Sequence, residues 1–273
     1  MKFAVTIIKP KGYDHWPVFL ETAETINAGL KSLGHDSKMT DDLTENRRYI
    51  VLGANLLPFT EIKTLPEGTI LYNLEQYDGW ENEWLKDPRF VVWDFDKRNS
   101  SRLEQHGIKP ATVLPIGYHP ILEKVPKVDR PDIDVLFIGS LSPRRQETIQ
   151  RLLRLGFTVK HLFNCYGTER DVWMARSRVH LNVHFGTNAL LETHRLMYAV
   201  ANRKPVVSEY GRDMEKSVHG VLFDSYHALP EAVEWLLQRP KETRERFTDI
   251  AYNNVREEHR IEDYLQNALG ETP

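Results

Sequence analysis

Apolar positions along the chain come as short unbroken runs, separated by stretches with helical spacing. FAVTII at 3–8 is continuous, the pattern of a strand covered on both faces. Phe19, Leu20, Ala23, Ile26, Leu30 and Leu33 then fall on one helical face, and Gly34 follows in the position glycine takes after a helix. YIVLGA (49–54), TILYNLE (69–75), FVVWDF (90–95) and ATVLPIG (111–117) repeat the strand signature. Helices of ordinary length fit between most of them. This alternation predicts an open parallel α/β sheet.

The rhythm stops at ILEKVPKVDRPDID, 121–134, which carries prolines and charges and little apolar content. It reads as an interdomain linker. A second alternation follows, with strands at 134–140, 158–163, 179–185, 205–209 and 220–223. The helices between them are expected at 143–155, 168–176 and 189–202, and two more at 228–238 and 241–267 close the chain. The predicted fold class is therefore α/β. Two Rossmann-like domains, 1–122 and 133–273, are expected to face a central cleft.

Composition narrows the function classes. The 273 residues are 41% hydrophobic and 27% charged, enough for a core in a water-soluble chain. The net charge of -3 supplies no overall basic field, which disfavours nucleic acid as a partner while leaving a local basic groove possible. The single cysteine, Cys165, admits no intramolecular disulfide and suits a reducing compartment. No apolar run reaches the ~20 residues of a membrane span. The opening MKFAVTIIKPKGYDHW turns polar too early for a secretory signal. The expected location is the cytoplasm.

The candidate chemistry lies at strand ends, where ligands of open α/β sheets collect. After DVLFIGS, Gly139 permits close backbone approach, Ser140 and Ser142 offer hydroxyls, and Arg144 and Arg145 occupy the first turn of a helix. Cations there oppose the helix dipole, and a phosphate between them would offset the conflict. The alternative is a capped surface helix with two solvated arginines. Neither GxxxxGK[ST] nor GxGxxG is present. Asn182 and His184 alternate on one strand face, either as a cleft wall or as a buried hydrogen-bonded pair, and Thr187 or Asn188 can cap the next helix. On that helix Thr193, Leu196, Met197 and Val200 form an apolar side and Glu192, Arg195 and Asn202 a polar one. An exposed Glu192–Arg195 pair would be an ordinary surface salt bridge. A functional pair would place Arg195 on a diphosphate and Glu192 on sugar hydroxyls. Ser208 and Glu209 end the strand PVVSE, where Glu209 could accept ribose hydroxyls.

DVLFIGSLSPRR, HLNVHF and ETHRLMYAVANRKPVVSE, in this order, resemble the donor-binding half of GT-B glycosyltransferases, closest to the group-1-like branch with CgeB-type proteins. PKGYDH, GLKSLGHD, LYNLEQ and LPIGYHP resemble their acceptor-side domain more loosely. The resemblance implies a GT-B-like fold with a nucleotide-sugar-binding C-terminal domain whose last helix packs back on the N-terminal one. It implies transfer of a sugar from a nucleotide sugar, a UDP-sugar first, to a glycan, small-molecule or other hydroxyl acceptor, with no metal or resident cofactor. Gly139, Ser140, Arg144, Arg145, His184, Glu192, Arg195, Ser208 and Glu209 would form the donor site. Tyr198 stands where many relatives carry a glutamate.

An inverting reaction would need a base near the acceptor. Glu75 and His15, at first-half strand ends, are the leading candidates, with Gly12 giving cleft backbone access and His119 a further possibility. DFD at 94–96 has the spelling of a metal site, but Asp94 and Asp96 read as loop and helix-cap residues. A nucleotide-sugar hydrolase or epimerase, or a non-catalytic sugar-nucleotide-binding protein, would use the same fold.

Overall fold

The computed structural model describes residues 1–77, 83–110, 112–187, 189–211 and 218–270, so Ala111 and Asn188 lie outside the described residues. The chain divides into two compact units. One holds Met1–Ile121 together with the chain from His259 on, and the other holds Leu122–Glu258.

The first unit is built on a six-stranded parallel sheet. Its strands are β1 (Lys2–Ile7), β2 (Asp36–Met39), β3 (Arg48–Leu52), β4 (Ile70–Asn73), β5 (Val91–Asp94) and β6 (Thr112–Val113), in the order β2-β1-β3-β4-β5-β6. Helices α1 (Leu20–Ser32), α2 (Phe59–Ile62) and α3 (Lys97–Gln105) connect them. The apolar runs predict the interior strands: Ala4, Val51, Leu71 and Val92 are buried in one core cluster. The pattern gives no sign of β2. DSKM is polar because it forms the sheet edge, where only β1 pairs with it. Asp96 caps α3, accepting from the backbone N–H groups of Arg98 and Asn99.

The second unit has a five-stranded parallel sheet, β7 (Ile133–Ile138), β8 (Val159–Leu162), β9 (Ser177–Asn182), β10 (Val206–Glu209) and β11 (Leu222–Asp224), ordered β11-β10-β9-β7-β8. Its helices are α4 (Pro143–Arg154), α5 (Gly167–Arg176), α6 (Thr193–Ala201), α7 (Leu229–Leu237) and α8 (Lys241–Glu258). From β7 the chain runs to β8 on one side and then to β9 on the other. The gap outside the carboxyl ends of β7 and β9 is therefore the switch point of the sheet, where such folds take ligands.

Two expected helices differ in the structure. The one expected from 189 starts at Thr193, with Glu192 as its N-cap residue. Within it Leu196 to Ala201 are all buried, while Thr193 and Arg195 are half-buried and His194 is exposed. The one expected over 241–267 is two helices, α8 and α9 (Ile261–Leu269). The chain extends at His259 and Arg260 to bridge Tyr118, whose N–H donates to the His259 carbonyl at 2.6 Å. α9 packs on α1 at Gly29, where a Cβ would lie 2.7 Å from Ile261 Cγ2.

Candidate functional site

The switch point of the second unit gathers three guanidinium groups and two carboxylates. α4 starts at Ser142, whose hydroxyl accepts from the Arg145 N–H at 3.4 Å. Arg145 turns inward to 2% exposure. Its Nε donates to the Val183 carbonyl at 2.8 Å, Nη1 to the Ser140 carbonyl at 2.9 Å, and Nη2 to Glu192 Oε1 at 3.3 Å. Arg144 grips Glu209 with both terminal nitrogens, at 3.2 and 2.5 Å, and lies 4.1 Å over the Tyr226 ring. The bidentate fork fixes its plane.

Glu192 is 8% exposed, and its partners come from β9, the residues just after it, and α4. Oε2 accepts from Asn182 Nδ2 at 3.1 Å and meets His184 Nδ1 at 2.6 Å, while Oε1 takes Arg145. Asn182, fully buried at the end of β9, also donates to Ser208 Oγ at 3.1 Å. With both acceptors on its nitrogen side, its Oδ1 faces Arg195, which donates Nη1 at 3.2 Å. That is the only side-chain hydrogen bond Arg195 makes among the described residues. It forms no ion pair there, whereas Arg144 and Arg145 each hold a carboxylate. Glu192 and Arg195 are thus not a surface pair: the carboxylate bonds Arg145 and His184 directly and acts on Arg195 only through its charge, without an ion-pair contact.

The free side of Arg195 turns toward Gly139. A Cβ on Gly139 would lie 3.5 Å from both Arg195 Nη2 and Arg145 Nη1, and the backbone there has φ +142°, a conformation that suits glycine. Two guanidiniums thus flank a glycine at the end of β7. Burial, followed by the charge of Arg195, lowers the Arg145 pKa from 12.5 to about 10 against the pull of Glu192. Burial alone would raise Glu192, but its hydrogen bond with His184 and the Arg195 charge outweigh it and bring that carboxyl to about 2. For His184 burial opposes protonation, while Glu192 and Glu209 outweigh it and raise its pKa. Even with Glu192 ionised, three guanidiniums face two carboxylates, and the excess positive charge favours an anion beside Arg195.

The other predicted donor residues fall around this centre. Ser208 is buried between Asn182 and the Glu209 carbonyl, to which it donates at 2.9 Å. Ser140 is exposed and contributes its carbonyl to Arg145. Tyr198 turns away, donating to Asp171 Oδ1 at 2.8 Å beneath the Arg170 guanidinium. Sequence spacing gives no sign of Tyr226, because that residue follows β11 far from the arginine it supports.

In the first unit, Gly12, His15 and Glu75 lie after β1 and β4, which flank β3 in the sheet. Tyr13 links the two candidate bases. Its ring meets His15 edge-on at 5.4 Å, and its pKa is raised by burial and then by the charge of Glu75. Glu75 is exposed just after β4. Desolvation raises its pKa, opposed by a hydrogen bond with Asn55, which follows β3. Tyr13 and Asn55 are residues that sequence pattern does not single out. His119 sits apart, with Nδ1 accepting from the Ile121 N–H at 3.1 Å and Nε2 beside Ser32 and Glu262. Asp94 ends β5 fully buried, bonded by Asn73 and Asn99 at 2.8 Å each, and burial raises it to about 6.

No protein-family model matches the sequence, and no curated protein does. Solved structures match the fold. Anabaena HepE, determined in complex with UDP and glucose, aligns over 99% of both chains with a TM-score of 0.62 at 13% identity. The chain has a GT-B fold. WaaG, a glycosyltransferase involved in lipopolysaccharide biosynthesis, aligns over 99% of both chains with a TM-score of 0.57 at 10% identity. S. aureus TarM, in a structure containing UDP, gives 0.58 at 10% identity over 81% of this chain. The chain spans 55% of the length of TarM, and its alignments with HepE and WaaG cover 99% of each. Among the described residues, no helix is long and apolar enough to cross a membrane.

Proposed function

We propose that the protein is a glycosyltransferase that moves a sugar from a nucleotide sugar, a UDP-sugar first, to a hydroxyl acceptor. One observation carries the reading: Arg195, without a carboxylate of its own, faces Gly139 beside Arg145 at the switch point of a GT-B fold. A diphosphate at that glycine would meet fixed guanidinium donors as negative charge grows on the leaving group. This is charge stabilisation supplied by the protein, so the proposal needs no metal. Ser140 and the α4 amino terminus border the same space, Glu209 holds Arg144 from β10, and Ser208 supports Asn182 from behind. Glu192 acts here as the buried counterion that orders Arg145 and His184. HepE and the Burkholderia vietnamiensis trehalose-phosphate synthase, described as UDP-forming, support UDP as the first nucleotide to test.

The finer placement beside CgeB-type proteins rests on ETHRLMYAVANRKPVVSE, and a cytoplasmic setting on the lone cysteine. For an inverting reaction, Glu75 would take the proton of the acceptor hydroxyl, with His15 as the second candidate. A raised carboxyl pKa moves Glu75 toward the range of a general base. The acceptor is a glycan or another hydroxyl compound.

The test is a thermal-shift screen with UDP-, GDP-, dTDP- and CMP-sugars, followed by titration of the best donor into wild type and Arg195→Gln. The expected outcome is stabilisation by one nucleotide class and about a tenfold loss of affinity in a folded variant. A screen in which no nucleotide sugar binds would refute the proposal. Release of sugar from the donor without any acceptor would instead identify a hydrolase.

A further inference from the structure

The second unit has a groove of about 960 Å³ at the opposite end of its sheet from the arginine cluster. Its floor is Ser177 and Arg178, where β9 begins, and the turn from Ala201 to Pro205 that leads into β10. Glu123–Pro131 forms one wall and the first turns of α8 the other. Five residue steps along β9 separate Ser177 from Asn182, roughly 16 Å at ~3.3 Å per residue. The groove therefore does not belong to the site at the switch point.

Its charges are unevenly paired. Arg203 is neutralised by Asp249 at 2.6 Å, and Lys241 lies 3.6 Å from Glu245. Glu123 accepts the Tyr252 hydroxyl at 2.9 Å. Two cations hydrogen-bond only to carbonyls among the described residues, and neither forms a close ion pair there, although the charges of Glu242 and Glu245 act on Arg244. Lys204 Nζ donates to the Ala175 and Ser177 carbonyls at 3.1 and 3.5 Å. Arg244 Nη1 donates to the Leu237 and Arg239 carbonyls at 3.3 and 2.5 Å. Arg178 donates to the same Leu237 oxygen at 3.3 Å, which draws the two guanidiniums together, and it has one carboxylate, Asp134. Like charges gathered on neutral acceptors are stabilised by an anion. The amino end of the 18-residue α8 adds its dipole in the same sense. The Lys204 pKa, pushed down by burial to about 8, agrees with an ammonium lacking a counterion.

We propose that this groove binds a small-molecule polyanion carrying at least two anionic groups, held by Lys204, Arg178 and Arg244. Its volume lies in the range of small-ligand sites, about 300–1,000 Å³. The proposal is independent of the donor reading.

Inorganic pyrophosphate is the probe, titrated calorimetrically into the full chain carrying Arg195→Gln, in which the arginine cluster is weakened, and the heat assigned to the groove is the part that the groove variants below remove. One saturable site is expected. Adding Arg244→Gln or Lys204→Met should weaken it about tenfold or more, the loss of a charge-assisted contact. Arg244 is half-exposed on α8, so its variant carries the test if Lys204→Met does not fold. Absence of saturable binding, or binding unchanged by Arg244→Gln, would overturn the proposal.

Discussion

Glu192→Gln removes the charge that orders the arginine cluster while keeping the side-chain shape. The Glu192 carboxyl titrates at about 2 in the fold, against 4.5 for an unperturbed glutamate. That difference corresponds to about 3 kcal/mol, at 1.36 kcal/mol per pH unit. Because the folded pKa is depressed, the stabilisation is fully present above about pH 4.5 and is lost as pH falls toward 2. Urea unfolding followed by tryptophan fluorescence should place the variant about 3 kcal/mol below wild type at pH 7. The gap should fall to roughly half by pH 3, where wild type has itself lost part of the contribution. The amide still bonds Asn182, but it cannot neutralise Arg145 or a protonated His184. A variant as stable as wild type at pH 7 would refute the assignment. So would a gap of the same size at both pH values, since neither agrees with an ionised buried carboxylate.

Three further outcomes follow from the geometry. Gly139→Ala should cost about 1–3 kcal/mol from the backbone conformation alone, and weaken UDP-sugar binding more than Ser140→Ala, as calorimetry would show. Asp94→Asn should flatten the pH dependence of stability between pH 4 and 7. Wild type, whose Asp94 pKa is raised from 3.8 to about 6, should lose about 2 kcal/mol over that interval as the buried carboxyl ionises. An equally steep loss in the variant would show that another group titrates. Glu75→Gln should lower kcat of transfer by at least about a hundredfold with donor affinity unchanged, and equal kcat would remove Glu75 as the base.

Sequence pattern reveals the buried layers of the fold because burial on both faces leaves continuous apolar runs, as in FAVTII and DVLFIGS. It misses β2 because an edge strand faces water and keeps polar residues. The candidate site is legible where it consists of residue types with few structural uses, such as paired arginines at a helix start. The connections among them are not legible. Spacing puts Glu192 next to Arg195, but the carboxylate swings to Arg145 and His184, which are 47 and 8 residues away. The polar side expected on α6 is there, but Glu192 and Arg195 on it bond to Arg145, His184 and Asn182 rather than to each other.

The return of α9 to the first unit has a consequence for how the chain is made. The first unit is interrupted after Ile121 and resumes only at His259. During synthesis from the amino terminus, the second unit is therefore complete before the ribosome has supplied the helix that covers Gly29 and Gly117. The sheet laid down first must wait with its α1 face open, and the unit begun second is ready earlier. A stop codon near residue 258 would leave the second unit whole and damage the distant amino-terminal one.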